Sequence, residues 1–168
     1  MRIILPYHQE IDQVIAHIRE ARPEDIPALV ALMAEFYGEA GYPLPREAAG
    51  HAFATLLGDP RLGRAWLVQH EAVTVGYLVL SLAFSMEFGG LRGFIDDLFV
   101  RPAARGNGFG AAALATVRQA CREQGVRALL VETGAEGHPA RHLYARAGFG
   151  EVGRVLLTQP LAPAVHEG

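Results

Sequence analysis

FIDDLFVRPAARGNGFGAAALATVRQAC, residues 94–121, decides how the rest of the chain is read. Its first seven residues are β-formers that carry two carboxylates, Asp96 and Asp97. Pro102 cannot donate to a sheet ladder or extend a helix, so it ends the strand. Arg105-Gly106-Asn107-Gly108-Phe109-Gly110 follows, and Ala113, Leu114, Val117 and Cys121 then recur at helical spacing. Alternating glycines at a helix start let the backbone approach a ligand closely. The first N–H groups of a helix lack intrahelical acceptors and sit at the positive end of its dipole, which suits a phosphate or pyrophosphate.

Gly106-x-Gly108-x-x-Ala111 also fits a loose dinucleotide fingerprint, with Glu132 as its ribose acid. However, four residues (Pro102 to Arg105) intervene between strand and glycine where that fold allows almost none. A Walker-type loop fits worse still, because no Lys-Ser/Thr pair follows the glycines. A plain turn with a close helix contact would use glycine as well.

Together, LFVRP, Arg105-x-x-Gly108-x-Gly110 and the helix resemble the acyl-CoA signature of the GNAT N-acetyltransferase superfamily. LYARAGF, residues 143–149, resembles that family's second motif. The resemblance spans residues 17–158. It implies an α+β fold: a mixed, mostly antiparallel twisted sheet with helices on both faces, in three layers. Residues 1–16 form an N-terminal extension and 159–168 a C-terminal tail.

The composition agrees with one domain. Of 168 residues 51% are hydrophobic, enough for a sizeable core. A net charge of −3 without a basic run argues against nucleic acid as a partner. The lone cysteine, Cys121, stands at an apolar helical position, which reads as core. No apolar run reaches membrane-spanning length and MRIILPYHQE lacks a signal-peptide core, so a cytoplasmic location is the default.

Taken in order, a first strand is expected at 17–21, a helix from Pro23-Glu24-Asp25 with Ile26, Leu29, Val30, Met33 and Phe36 on one face, and a second helix over 47–57. Strands follow at 65–69, 73–84 and 92–100, with turns at 70–72 and 86–90. After the organising helix, Gly125 reads as its cap, 128–131 as a buried strand, Pro139 as the start of a short helix, and 149–157 as the last strand or two.

The resemblance also assigns roles. Backbone N–H groups of Arg105, Gly106, Asn107, Gly108, Phe109 and Gly110 would hold the pyrophosphate of acetyl-CoA. The backbone of Leu98, Phe99 and Val100 would pair with the pantetheine arm, the Val100 N–H polarising the thioester carbonyl. Tyr144 matches the tyrosine that faces the sulfur, and a phenol keeps its proton at neutral pH. Asp96 aligns with a position that often carries the catalytic acid, and Asp97 is the runner-up. On a regular strand the two point to opposite faces, so at most one would face the acceptor. Glu87 is a candidate for holding a cationic acceptor, and Tyr37 and Tyr42, in a connection that commonly forms one wall of the acceptor site in this family, are candidates for contacting the substrate. His138 stands where the family commonly has an asparagine contacting the coenzyme arm, and histidine can still donate a hydrogen bond. His138 and His142 lack a third ligand, so no metal is expected. The activity implied is acetyl transfer from acetyl-CoA to a primary amine: a small molecule, a polyamine-like cation or a protein amine. A non-catalytic acyl-CoA-binding or sensor domain is the alternative. Dimers are common in such folds, which leaves a homodimer open.

Overall fold

In the computed structural model, residues 16–134 and 138–162 are described. Five strands form one sheet in sequential order: β1 (His17–Glu20), β2 (Gly63–His70), β3 (Val73–Ser85), β4 (Gly90–Val100) and β5 (Ala128–Val131). Neighbours are antiparallel except β4 and β5, which are parallel. The parallel pair needs a crossover, supplied by α3 (Phe109–Glu123). Helices α1 (Ile26–Glu39) and α2 (Arg46–Gly58) link β1 to β2, and α4 (Pro139–Arg146) follows β5.

Alternation along the strands divides the core in two. On one face Trp66, Val68, Leu78, Leu80 and Ile95 meet Phe109, Ala113, Leu114, Val117 and Cys121 of α3 and Tyr144 of α4. On the other, Ala65, Leu67, Tyr77, Val79 and Phe99 meet Leu29, Val30 and Leu32 of α1 and Phe53 of α2. The result is the expected three-layer α+β fold, with helices on both faces of a mostly antiparallel sheet. Along α1, Leu32 is fully buried, whereas the expected Met33 and Phe36 are only partly so.

The β2–β3 turn is tight: His70 pairs with Val73 across Glu71 and Ala72, both at positive φ (47° and 65°). A two-residue turn of that kind matches the right-handed twist of its strands but strains residues that carry a Cβ. Gly76 lies opposite Val100, and a Cβ there would stand 2.3 Å from the Phe99 carbonyl oxygen. Glycine therefore sets how closely β3 approaches the end of β4.

The strands expected within 149–157 do not form: the chain is irregular from Phe149 to the end of the described residues. Gly153 adopts φ 65°, and Val152, Val155 and Leu157 are all exposed. Strand-forming residues without a ladder partner stay irregular, since sheet propensity is mostly neighbour packing. The segment is tied down by ion pairs instead, Arg141 with Glu151 and Arg154 with Glu87. The N-terminal extension lies almost wholly outside the described residues.

Ala72→Gly is expected to stabilise the fold by about 1 kcal/mol, because it relieves the left-handed strain. Gly76→Ala is expected to cost about 2–3 kcal/mol, because backbone must move. Urea titrations of both variants measure these shifts in midpoint.

Candidate active site

One extra residue in β4 organises this region. Val79 pairs with Asp97, but the next residue, Leu80, pairs with Ile95, so Asp96 is bulged out of the ladder. A bulge of this kind inverts the alternation beyond it. Ile95 accordingly packs in the α3 layer, while Asp97 and Phe99 turn into the α1 layer and Leu98 and Val100 pack toward α3. The expectation that Asp96 and Asp97 face opposite sides is therefore corrected. Both line one cleft of about 290 Å³, with Phe36, Tyr37, Ala40 and Tyr42. The sequence shows no bulge, because an extra residue is defined by its partner strand.

The same place opens the sheet. Pairing of β4 with β5 runs from Arg92–Ala128 to Ile95–Val131 and stops there, while β4 continues to Val100. The Arg101 N–H donates to the Val75 carbonyl at 2.8 Å. By ladder alternation the N–H and C=O of Val100, and of Leu98, then point away from β3 into the gap beyond β5. Those of Phe99 turn back toward β3. Arg105 Nε donates to the Val100 carbonyl at 2.8 Å, which brings the following loop against this edge.

That loop is built for close approach. Gly106 and Gly108 have φ of 83° and 81°, and a Cβ on either would meet nothing within 4 Å. Gly108 is the N-cap of α3 and supplies no side-chain cap, so the first-turn N–H groups of Phe109 to Ala111 are left without an intrahelical acceptor. Asn107 Nδ2 donates to the Ala104 and Arg105 carbonyls, holding the loop's shape. The Arg105 guanidinium is engaged with Glu39 of α1 at 2.7 Å and lies over the Phe99 ring. What the loop offers an anion is thus mainly backbone amides and a helix N-terminus. A diphosphate fits that donor set.

Asp97 is the most perturbed carboxylate of the group. It is 9% exposed, and Tyr77 Oη donates to its Oδ2 at 2.8 Å. Burial pushes its pKa up to about 6, the Tyr77 hydrogen bond pulls it back, and the charge of Asp96 adds to the rise. Asp96 is raised too, by burial, against a hydrogen bond from Ser81. Tyr144 lies in the opposite layer, buried, its ring edge-on to Phe149. Burial, and then the charge of Asp97, lift its pKa to about 12, so it is protonated at neutral pH. Burial, then the charges of Asp97 and Asp96, raise Tyr37 to about 12.

Other candidates sit apart. Glu87 is in the β3–β4 turn, paired with Arg154, and does not line the cleft. His138 is the exposed N-cap of α4, where its Nδ1 accepts from the Ala140 N–H. Tyr77 and Phe36 were missed. Tyr77 reads as one more apolar strand residue, and only the register of β3 on β4 places its hydroxyl on Asp97.

The family model described as "Acetyltransferase (GNAT) family" matches residues 26–149. An aminoalkylphosphonate N-acetyltransferase of Salmonella typhimurium is 26% identical over 147 residues, covering 88% of this chain and 93% of that protein. The crystal structure of an integron cassette protein from the mobile metagenome of Cole Harbour salt marsh superposes with a TM-score of 0.83. It is 59% identical, covering 89% of this chain and 93% of that one. An aminoglycoside N-acetyltransferase in complex with CoA shares the fold at 17% identity and a TM-score of 0.75, covering 88% of this chain and 96% of that one.

The Asp97 carboxyl ionises near 6 in the fold but near its ordinary 3.8 when unfolded. Between those values the folded state holds the extra proton, so this group's contribution to stability falls as pH rises through the window. Above it the cost is on the order of 3 kcal/mol. Asp97→Asn removes that cost. Its melting temperature near pH 8 is expected to exceed the parent's by several degrees, the gap closing below about pH 4 in thermal melts.

Proposed function

The chain belongs to the GNAT acetyltransferase family, and from that premise we propose that it moves an acetyl group from acetyl-CoA to a primary amine by direct attack on the thioester. The observation that carries this reading is the gap between β4 and β5. It has the glycine loop at its mouth, Asp97 on one side of the sheet and Tyr144 on the other.

In this reading the amides of residues 105–110 and the N-terminus of α3 hold the diphosphate. Leu98 presents its N–H and C=O and Val100 its N–H to the pantetheine arm along the edge of β4, with Phe99 between them keeping the strand seated on β3 and the Val100 carbonyl held by Arg105. The Val100 N–H donates to the thioester oxygen as charge develops there. The acceptor amine lies in the cleft between Asp96, Asp97, Tyr37 and Tyr42. One proton of the incoming ammonium passes to the Asp97 carboxylate, the freed nitrogen lone pair bonds to the carbonyl carbon, and the carbon–sulfur bond breaks as Tyr144 Oη supplies the proton that the departing sulfur takes up; the nitrogen's second proton leaves to solvent, from which the phenol is reprotonated. Asp97 is preferred to Asp96 as base because a pKa of about 6 leaves it both ionised and basic near neutral pH. Asp97 and Tyr144 lie on opposite sides of the sheet, so the amine enters from the α1 layer and the thiol leaves toward α4.

The relatives are named for chemically different amines, an aminoalkylphosphonate and an aminoglycoside. Their names therefore support an amine acceptor and leave its kind to the cleft.

Acetyl-CoA at a hundredfold excess over its dissociation constant is expected to raise the melting temperature by about 5–10 °C. Gly108→Trp should abolish that shift by filling the open face of the loop, while its unliganded melt stays cooperative. A protein stabilised by NAD but not by acetyl-CoA would contradict the proposal.

With an active amine, kcat/KM should rise with pH through an acid limb centred near 6 and then level off. Asp97→Asn should erase the limb and lower kcat about 10²- to 10⁴-fold. Tyr144→Phe should lower kcat with the acetyl-CoA melting shift intact. Release of free thiol measures all three rates. A chain that binds acetyl-CoA yet releases no thiol with any amine would be a sensor.

A further inference from the structure

Among the described residues the acceptor cleft is lined by two carboxylates and by no cation, and from this we propose that the enzyme selects cationic amines that carry no acidic group near the amino nitrogen, and rejects amino acids and aminoalkylphosphonates. The proposal rests on the transferase reading above and narrows its substrate class.

The described residues that line it are Phe36, Tyr37, Ala40, Tyr42, Asp96 and Asp97. The arginines that α1 meets are engaged elsewhere. Arg101 forms a two-point pair with Glu35 and donates to the Thr74 carbonyl, and Arg105 pairs with Glu39 and donates to the Val100 carbonyl. Neither lines the cleft. An ammonium group entering it meets opposite charge. A carboxylate or phosphonate one or two carbons from that nitrogen is carried into the same space, against Asp96 and Asp97, with no counter-ion among the described lining residues. In a partly dry cleft such like-charge contact is worth roughly one to two decades in binding.

The remaining wall is aromatic. Phe36 packs at 5.5 Å on Phe99 and edge-on to Tyr37, so its ring is held in place. Rings of this kind accept the apolar body of a small amine and attract its charge through their faces. The cleft's volume of about 290 Å³ suits a body the size of one ring or a short chain.

Matched pairs that differ in one anionic group test the idea: phenethylamine against phenylalanine, putrescine against ornithine, and propylamine against aminopropylphosphonate. Thiol release is measured for each, alongside the melting shift with acetyl-CoA. The amine should exceed its anionic partner in kcat/KM by about tenfold to a hundredfold in every pair. Asp96→Asn should shrink that ratio about tenfold with the acetyl-CoA shift unchanged. Ala40→Arg, which adds a counter-charge at an exposed position of the cleft, should shrink it as well. Equal or better turnover of the anionic partners overturns the selectivity and leaves the transferase standing. Silence toward every amine, with acetyl-CoA still bound, overturns the selectivity too. Loss of acetyl-CoA binding would instead sink the transferase reading itself.

Discussion

A single unpaired residue in β4 sets the geometry on which the rest of the site depends. Without the bulge at Asp96, strict alternation would put Asp97 in the same layer as Ile95, under α3. With it, one strand presents apolar side chains to α3 before the bulge and a carboxylate to α1 after it. The β4–β5 ladder stops at the residue before the bulge, so the loss of pairing and the change of facing occur together. A gap in a sheet normally exposes edge groups that need partners. Here the edge runs out beside the glycine loop, where a bound ligand would supply them.

The surrounding contacts hold this arrangement rigidly. Arg101 and Arg105, just beyond β4, reach back to Glu35 and Glu39 on α1, one helical turn apart. Each also donates to a strand carbonyl. Exposed ion pairs add little stability singly, but a guanidinium that bridges helix, strand and loop restricts how these move relative to one another. The aromatic run Phe36, Phe99, Tyr77 and Phe53 continues the same link through the core to α2. The cost is concentrated in Asp97, buried and close to a second acid. A buried carboxylate raised toward neutral pH is a poor choice for stability and a good one for proton transfer, as expected where function and folding compete for one residue.

Much of this was legible in the residues. The strand–turn–glycine–helix run at 94–121, the helix stripes and the short helix at Pro139 emerged with boundaries within a few positions of those observed. They are local: Pro102 and the glycines act through their own backbone dihedrals, and 3.6-residue spacing needs no partner. The expected strands at 149–157 did not form, because β-forming residues become a strand only against another edge. Glu87, a natural partner for a cation by charge alone, is placed by its hairpin beside Arg154 rather than in the cleft.

The sequence by itself determined the helices, the first five strands, their order and the glycine loop, since these follow from dihedral limits and side-chain periodicity within a few residues. Only the tertiary structure decided which acids share a cleft, which tyrosine bonds Asp97, and that Tyr144 lies in the opposite layer from that acid. Each of those facts depends on how β3 registers against β4 and where β5 lets go. Register is a relation between strands distant in sequence, and a shift of one residue turns every side chain beyond it to the other face.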